Sequence, residues 1–132
     1  MYITPEIVIG FHGCDKFVAD AVFKEGKELS KSENSYDWLG HGIYFWEGSY
    51  ERAWEWARNK KEANKIDEPA VIGAFIKLGY CLDLLDSKHI KTVKLAHNIL
   101  LDESQKTGVK LPENTNYKLD ISFYRHLDCT VM

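Results

Sequence analysis

Glu6-Ile7-Val8-Ile9-Gly10-Phe11-His12-Gly13 is the stretch that defines the first element of the fold. It is a short apolar run closed by glycine, which predicts a buried β-strand. Asp15 follows as a candidate N-cap for a helix that runs to about Glu25. Gly26 stands where a left-handed C-cap residue belongs. The chain therefore opens with a strand and a helix.

Further strand and helix signals alternate along the rest of the chain. Residues 43–46 are strong β-formers, and residues 49–65 read as a capped helix. The apolar run 70–78 is long enough for a central strand, and residues 87–108 show apolar positions at helical spacing. The last stretch, 117–132, fits either a helix or a strand. Short strands with irregular connections predict the α+β class.

Length and composition predict one folded domain over residues 1–132. The hydrophobic content of 45% and the charged content of 28% are ordinary values for a globular protein. Neither a long apolar run nor a signal-peptide pattern is found, so we expect a cytoplasmic protein with no membrane contact. A formal net charge of −3 argues against a nucleic-acid coat.

The cysteines give no sign of a metal centre. Cys14, Cys81 and Cys129 are widely spaced, and the sequence holds no Cys-x-x-Cys pair or zinc-like cluster. We expect three reduced thiols and no bound metal.

Aromatic residues are concentrated in one part of the chain, which holds all four tryptophans between residues 36 and 56. Such a cluster forms either an aromatic core beneath a helix or a stacking wall for a planar ring, and core is the commoner use. His12 adds a functional hint. It ends a strand, and the following Gly13 leaves neighbouring backbone groups open to a ligand.

The order of two motifs resembles the ADP-ribosyltransferase superfamily. Phe11-His12-Gly13 is followed by Gly40-His41-Gly42-Ile43-Tyr44-Phe45, as in the branch with a His-Tyr-Glu type of site that includes diphtheria toxin and the poly(ADP-ribose) polymerases. The clear motifs cover residues 7–58, and a weaker similarity reaches 86. The resemblance implies a split, mixed β-sheet with flanking helices, of which this chain would hold the N-terminal two-thirds, incomplete at the C-terminus.

The resemblance also implies a function and a set of binding residues. The domain would bind NAD as a substrate and transfer ADP-ribose to an acceptor, protein or nucleic acid, as a bacterial toxin or defence factor does. His12 would bind the adenosine-side ribose, and the backbone of Gly13 would hold the nicotinamide amide. Gly40 and Gly42, two residues apart, allow a tight backbone turn or close approach of a ligand. By the resemblance, Tyr44 would pack on the nicotinamide ring. We expect His12 and Tyr44 to face one cleft.

The second aromatic wall falls in the register of Trp54, with Trp56 beside it. Residues two apart on a helix point about 200° apart, so we expect one of the two to line the cleft and not both. The serine that helps hold the nicotinamide in the polymerases maps near Arg52, which departs from the pattern.

The third signature residue, an acid on a late strand, is not recognisable. The late acids do not lie in a strand with the expected surroundings; they are Glu103, Glu113, Asp120 and Asp128. Glu47, directly after the tyrosine motif, is then the acid candidate, and Tyr44 and Glu47 are the catalytic candidates. A helix-start acid is the competing role of Glu47.

Three hypotheses follow. The first is a transferase whose catalysis is incomplete in this chain, so that self-association or a second chain closes the fold and the chain alone transfers no ADP-ribose. The second is a non-catalytic module that binds NAD, ADP-ribose or a protein. The third is a nucleic-acid-facing domain, based on Lys88, Lys91 and Lys94, although such charge runs are usually solvated faces.

Overall fold

The computed structural model describes residues 3–34, 37–116, 123–124 and 128, and in them the α+β class is confirmed. Strands and helices alternate at first, and a pair of two-residue strands follows the last helix. In chain order the elements are β1 (Ile3–Asp15), α1 (Lys16–Glu25), β2 (Trp46–Glu47), α2 (Tyr50–Glu62), β3 (Pro69–Tyr80), α3 (Ser87–Thr107), β4 (Thr115–Asn116) and β5 (Phe123–Tyr124).

The main sheet has three strands in the order β2-β1-β3, with β1 in the middle. β1 pairs with β3 along most of its length, with Gly10 opposite Ala74 and His12 opposite Ile72. Both strand pairs are antiparallel, as is the β4–β5 pair. The described strands thus contain no parallel pair of the kind a mixed sheet requires. β3, expected to be central, lies at an edge of this sheet.

The helix ends follow the predicted capping pattern. The Asp15 carboxylate accepts a hydrogen bond from the amide of Phe17 at the start of α1. Gly26 and Gly108 end α1 and α3 with φ of 66° and 73°, which glycine adopts without strain. The Ser49 hydroxyl caps α2. That helix ends at Glu62, three residues before the predicted end.

Residues 3–31 and 43–81 form one compact unit, which holds the three-stranded sheet with α1 and α2. α2 lies on the sheet through two alanines, Ala53 and Ala57, which are fully buried. Ile72 of β3 is buried as well. The small side chains let the helix approach the strands closely, next to Gly13 of β1.

The second compact unit contains residues 32–34, 37–42 and 82–116 together with 123–124 and 128. Its loop is tied by hydrogen bonds from the Ser32 hydroxyl and the Asn34 amide to the Asp37 carboxylate. In α3, the buried His89 accepts a hydrogen bond on Nδ1 from the amide of Asp83.

Several predicted features lie outside the described residues. They are Tyr36, Asp120, Cys129 and most of the ambiguous segment 117–132. Of the helices that the structure describes, none has the length and apolar character needed to cross a membrane.

Candidate functional site

His12 joins the two motifs that the sequence analysis singled out. Its Nδ1 atom lies 2.7 Å from the main-chain carbonyl oxygen of Tyr44. A carbonyl oxygen can only accept, so Nδ1 is the protonated nitrogen of this pair. In the neutral ring, Nε2 is then a hydrogen-bond acceptor, the role needed to bind a hydroxyl group.

Phe45 completes the contact between β1 and the segment before β2. Its ring centroid lies 5.5 Å from that of His12. Phe45 is not among the predicted site residues, although it stands in the same motif as Tyr44. Tyr44 itself lies just before β2, remains 39% exposed and meets His12 through its main chain. Whether the Tyr44 ring and His12 face one cleft stays a prediction.

The packing of α2 against β1 leaves no room for a side chain at Gly13. A Cβ atom at this position would overlap the carbonyl oxygen of Ala53 and would lie 3.3 Å from the amide nitrogen of Ala57. The glycine therefore allows the helix backbone to pack directly against β1, a role additional to the predicted ligand contact. This packing role is compatible with the predicted contact between the backbone groups of Gly13 and a ligand.

The backbone groups of Gly13 point toward the β2 side of β1. The amide of Gly48 donates to the carbonyl of Ile9 across this side, at 2.8 Å. Because backbone groups alternate between the two edges of a strand, those of Phe11 and Gly13 point the same way as those of Ile9. β2 begins at Trp46, opposite Phe11. Gly13 thus lies beyond the last β1–β2 pair, where main-chain groups can meet a ligand.

Glu47 lies on the same sheet face as His12. It is opposite Gly10 in the β1–β2 pair, and directly opposed residues share a face, as do residues two apart on a strand. The Glu47 side chain is exposed. Three of the late acids, Glu103, Glu113 and Asp128, are among the described residues, and they lie in the other unit: Glu103 is in α3, and Asp128 accepts a hydrogen bond from the Asn114 side chain.

Trp54 and Trp56 leave α2 on opposite flanks, as the helical period requires. Trp54 stacks on Tyr50, with ring centroids 6.5 Å apart and an interplanar angle of 8°. Tyr50 in turn meets the ring of Phe11 edge-on at 6.0 Å. Trp56 instead lies beneath the Lys60 ammonium, 4.9 Å from its ring centroid. Trp54 is therefore the indole connected to β1 through a chain of aromatic contacts, on the sheet face that α2 covers, whereas the His12 side chain lies on the opposite face.

Gly42 belongs to the other compact unit. Its amide donates to the carbonyl of Ser32 at 3.1 Å, and its own carbonyl accepts from the amide of Ser32 at 2.6 Å. The compact unit built on the sheet thus holds five of the six predicted site residues, namely His12, Gly13, Tyr44, Glu47 and Trp54.

Two ionisable groups next to Gly13 have shifted pKa values. Burial raises the pKa of the Cys14 thiol, and the nearby Asp15 charge adds to this effect, so the thiol is protonated at neutral pH. Hydrogen bonds from the amides of Phe17 and Asp67 lower the pKa of Asp15. In the described part of the chain, no group of three or more His, Cys, Asp or Glu residues is placed to hold a metal ion.

Comparison with known proteins gives one curated relative. The chain is 30% identical over 111 residues to the uncharacterized protein MJ0359 of Methanocaldococcus jannaschii. The match covers 83% of this chain and 47% of that protein, so the chain spans about half the length of the relative it matches. No family model matches the sequence. No solved structure matches it either.

Proposed function

We propose that the unit built on the sheet binds NAD and acts as the nucleotide-binding part of an ADP-ribosyltransferase-like domain. The observation that carries this proposal is the hydrogen bond from His12 Nδ1 to the carbonyl of Tyr44. It brings His12 of the first motif and Tyr44 of the second together at one side of β1, which is the arrangement that the resemblance implies.

The direction of the hydrogen-bonding groups supports this assignment. With Nδ1 occupied by Tyr44, His12 has Nε2 to accept a ribose hydroxyl. One residue further, the N–H and C=O of Gly13 point past the end of β2 and offer a donor and an acceptor to a carboxamide. A ligand without that amide would leave both groups unpaired, which is the basis of discrimination.

Transfer of ADP-ribose would break the bond between the nicotinamide nitrogen and the ribose carbon, and nicotinamide would leave with the bonding electrons. The acceptor nucleophile would then attack that carbon and lose its proton to solvent. A carboxylate beside the ribose stabilises the developing positive charge. In the sheet unit we assign this role to Glu47, which shares a face with His12.

A non-catalytic binder of NAD or ADP-ribose is the second candidate. The observation that favours it is the position of the acids: Glu47 is exposed on a two-residue strand rather than held in a preorganised site. Lack of a fixed charge at the developing cation costs roughly 3–4 kcal/mol, or a factor of several hundred in rate. We therefore expect this chain alone to show weak NAD binding and no ADP-ribosyl transfer.

Two assays on the same protein separate these candidates. NAD is titrated by calorimetry, and nicotinamide release is followed with wild-type protein and with Glu47→Gln. Saturable binding without release identifies this chain on its own as a binder. Release that Glu47→Gln abolishes, while NAD binding is kept, identifies the transferase. If neither binding nor release is seen with wild-type protein, both candidates are rejected.

A further inference from the structure

One flank of α2 and the neighbouring strand β2 together present two exposed tryptophans, Trp56 and Trp46, each paired with a cation. The Arg52 guanidinium lies 5.7 Å from the ring centroid of Trp46, and the Lys60 ammonium lies 4.9 Å from that of Trp56. Pairs of this kind occur about once per 70–80 residues in proteins. Here two of them fall within the segment 46–60. We call these four residues the tryptophan–cation strip.

All four residues of the strip belong to the sheet unit. Trp46 is opposite Phe11 and so lies on the sheet face that α2 covers. Arg52 reaches it from the first turns of the helix. Trp56 and Lys60 follow at steps of four residues, which keeps them on the same flank as Arg52. From Arg52 to Lys60 the strip extends about 12 Å along the helix axis.

The indoles of the strip are open to solvent, since Trp46 is 39% exposed and Trp56 45%. The acids of α2 lie on another stripe. Glu51, Glu55 and Glu62 occupy its outer face, and Glu55, three residues after Arg52, is the neighbour of Arg52 on the helix surface. The strip therefore combines two positive charges and two partly exposed indoles, and Glu55 borders it beside Arg52.

We infer that the tryptophan–cation strip binds single-stranded nucleic acid. Unpaired bases stack on aromatic side chains whatever their sequence, while Arg and Lys attract the phosphates between them. A duplex hides its base faces, so the exposed indoles favour a single strand over a double one. This inference stands on contacts that are separate from His12 and Gly13, and it goes beyond the proposed binding of NAD.

The net charge of −3 does not oppose this binding, because the strip presents its charges locally. With two phosphates contacted, the logarithm of the binding constant should fall with the logarithm of salt concentration at a slope of about −1.4. That slope corresponds to a loss of about seven-fold between about 50 and 200 mM salt. The shallow slope distinguishes this surface from a polybasic coat.

The test is fluorescence anisotropy of a labelled, unstructured single-stranded oligonucleotide, as DNA and as RNA, with the full chain. Trp56→Ala should weaken binding by roughly five-fold or more. Lys60→Glu should weaken it and also flatten the salt dependence. The matched controls are Trp38→Ala, which removes another exposed indole, and Lys61→Glu, which makes the same charge change one residue away.

The inference is supported if the strip variants lose affinity and the controls do not. It is overturned if no single strand binds at low salt or if a duplex binds more tightly. It is also overturned if each control loses as much affinity for the oligonucleotide as the strip variant to which it is matched. The inference is also overturned if the strip does not bind nucleic acid and is instead covered by a protein partner. All four variants are titrated with NAD in parallel, so failure of NAD binding is seen separately.

Discussion

The imidazole of His12 donates from Nδ1 to the main-chain carbonyl oxygen of Tyr44 across 2.7 Å. The bond connects the central strand of the sheet to the segment that precedes β2. Phe45 packs against the same ring from the next position in the chain. These contacts orient the imidazole so that Nε2 is the nitrogen presented to a ligand, which is the core of the proposed NAD site.

Replacement of Gly13 by alanine should destabilise the protein strongly. The added Cβ would overlap the carbonyl oxygen of Ala53, and both sides of the clash are backbone in packed elements. Overpacking of this kind costs about 1–3 kcal/mol, and we expect Gly13→Ala near the upper end. Denaturant unfolding of the two proteins measures the difference.

Gly42→Ala is the matched control for this substitution. A Cβ at Gly42 would meet nothing within 4 Å, and its backbone does not require glycine. We expect a change in unfolding free energy within about 0.5 kcal/mol. If Gly13→Ala were as mild as Gly42→Ala, the close approach of α2 to β1 would be wrong.

Asp15 should make stability depend on pH in the acid range. Hydrogen bonds from the amides of Phe17 and Asp67 lower its pKa in the folded state below the unfolded value of about 3.9. Its contribution is therefore complete above the unfolded pKa and is lost as pH falls through the folded pKa.

Thermal unfolding of Asp15→Asn across the acid range tests this linkage. Asparagine keeps one acceptor oxygen for the helix cap but no charge, so the variant should melt below wild type near neutral pH and approach it in acid. Glu55→Gln removes an exposed carboxylate of α2 and serves as the charge control. A difference in melting temperature between Asp15→Asn and wild type that stays constant with pH would contradict the role assigned to Asp15.

The helix ends were predictable because they depend on local chemistry. An aspartate before an amphipathic stretch and a glycine after it predicted α1 from Asp15 to Gly26, and the structure confirms both caps. The strand at 43–46 was less predictable. β-formers fill it, but only Trp46 pairs with β1, and pairing depends on contacts distant in sequence.

The candidate site could likewise be predicted from the sequence only in part. The motif residues His12 and Tyr44 could be selected from the sequence, yet the bond between them uses a carbonyl group that no residue type encodes. Phe45 could not be selected as a site residue, because an aromatic residue in a run of β-formers usually belongs to the core. The position of β3 at a sheet edge depends on which strands pair with it, and the composition of β3 carries no such information.

Trp54 and Trp56 should respond differently to NAD. Trp54 is linked to β1 through Tyr50 and Phe11, whereas Trp56 lies on the other flank of α2. NAD should therefore quench tryptophan fluorescence in wild type and in Trp56→Phe, and much less in Trp54→Phe. Equal quenching in both variants would assign the second wall of the slot to another residue.

His12→Ala should also reveal how much the bond to Tyr44 contributes to folding. Loss of one hydrogen bond costs about 0.5–1.5 kcal/mol in unfolding free energy, so the variant stays folded and suitable for binding studies. His41→Ala is the matched control, because His41 is exposed in the other compact unit and has no assigned role.

Calorimetric titration of NAD into wild type, His12→Ala and His41→Ala tests the central claim most directly. The proposed site predicts saturable binding to wild type and to His41→Ala, and an affinity roughly two- to ten-fold lower for His12→Ala. Absence of saturable binding to the wild-type chain, or equal affinity in His12→Ala and wild type, would contradict it.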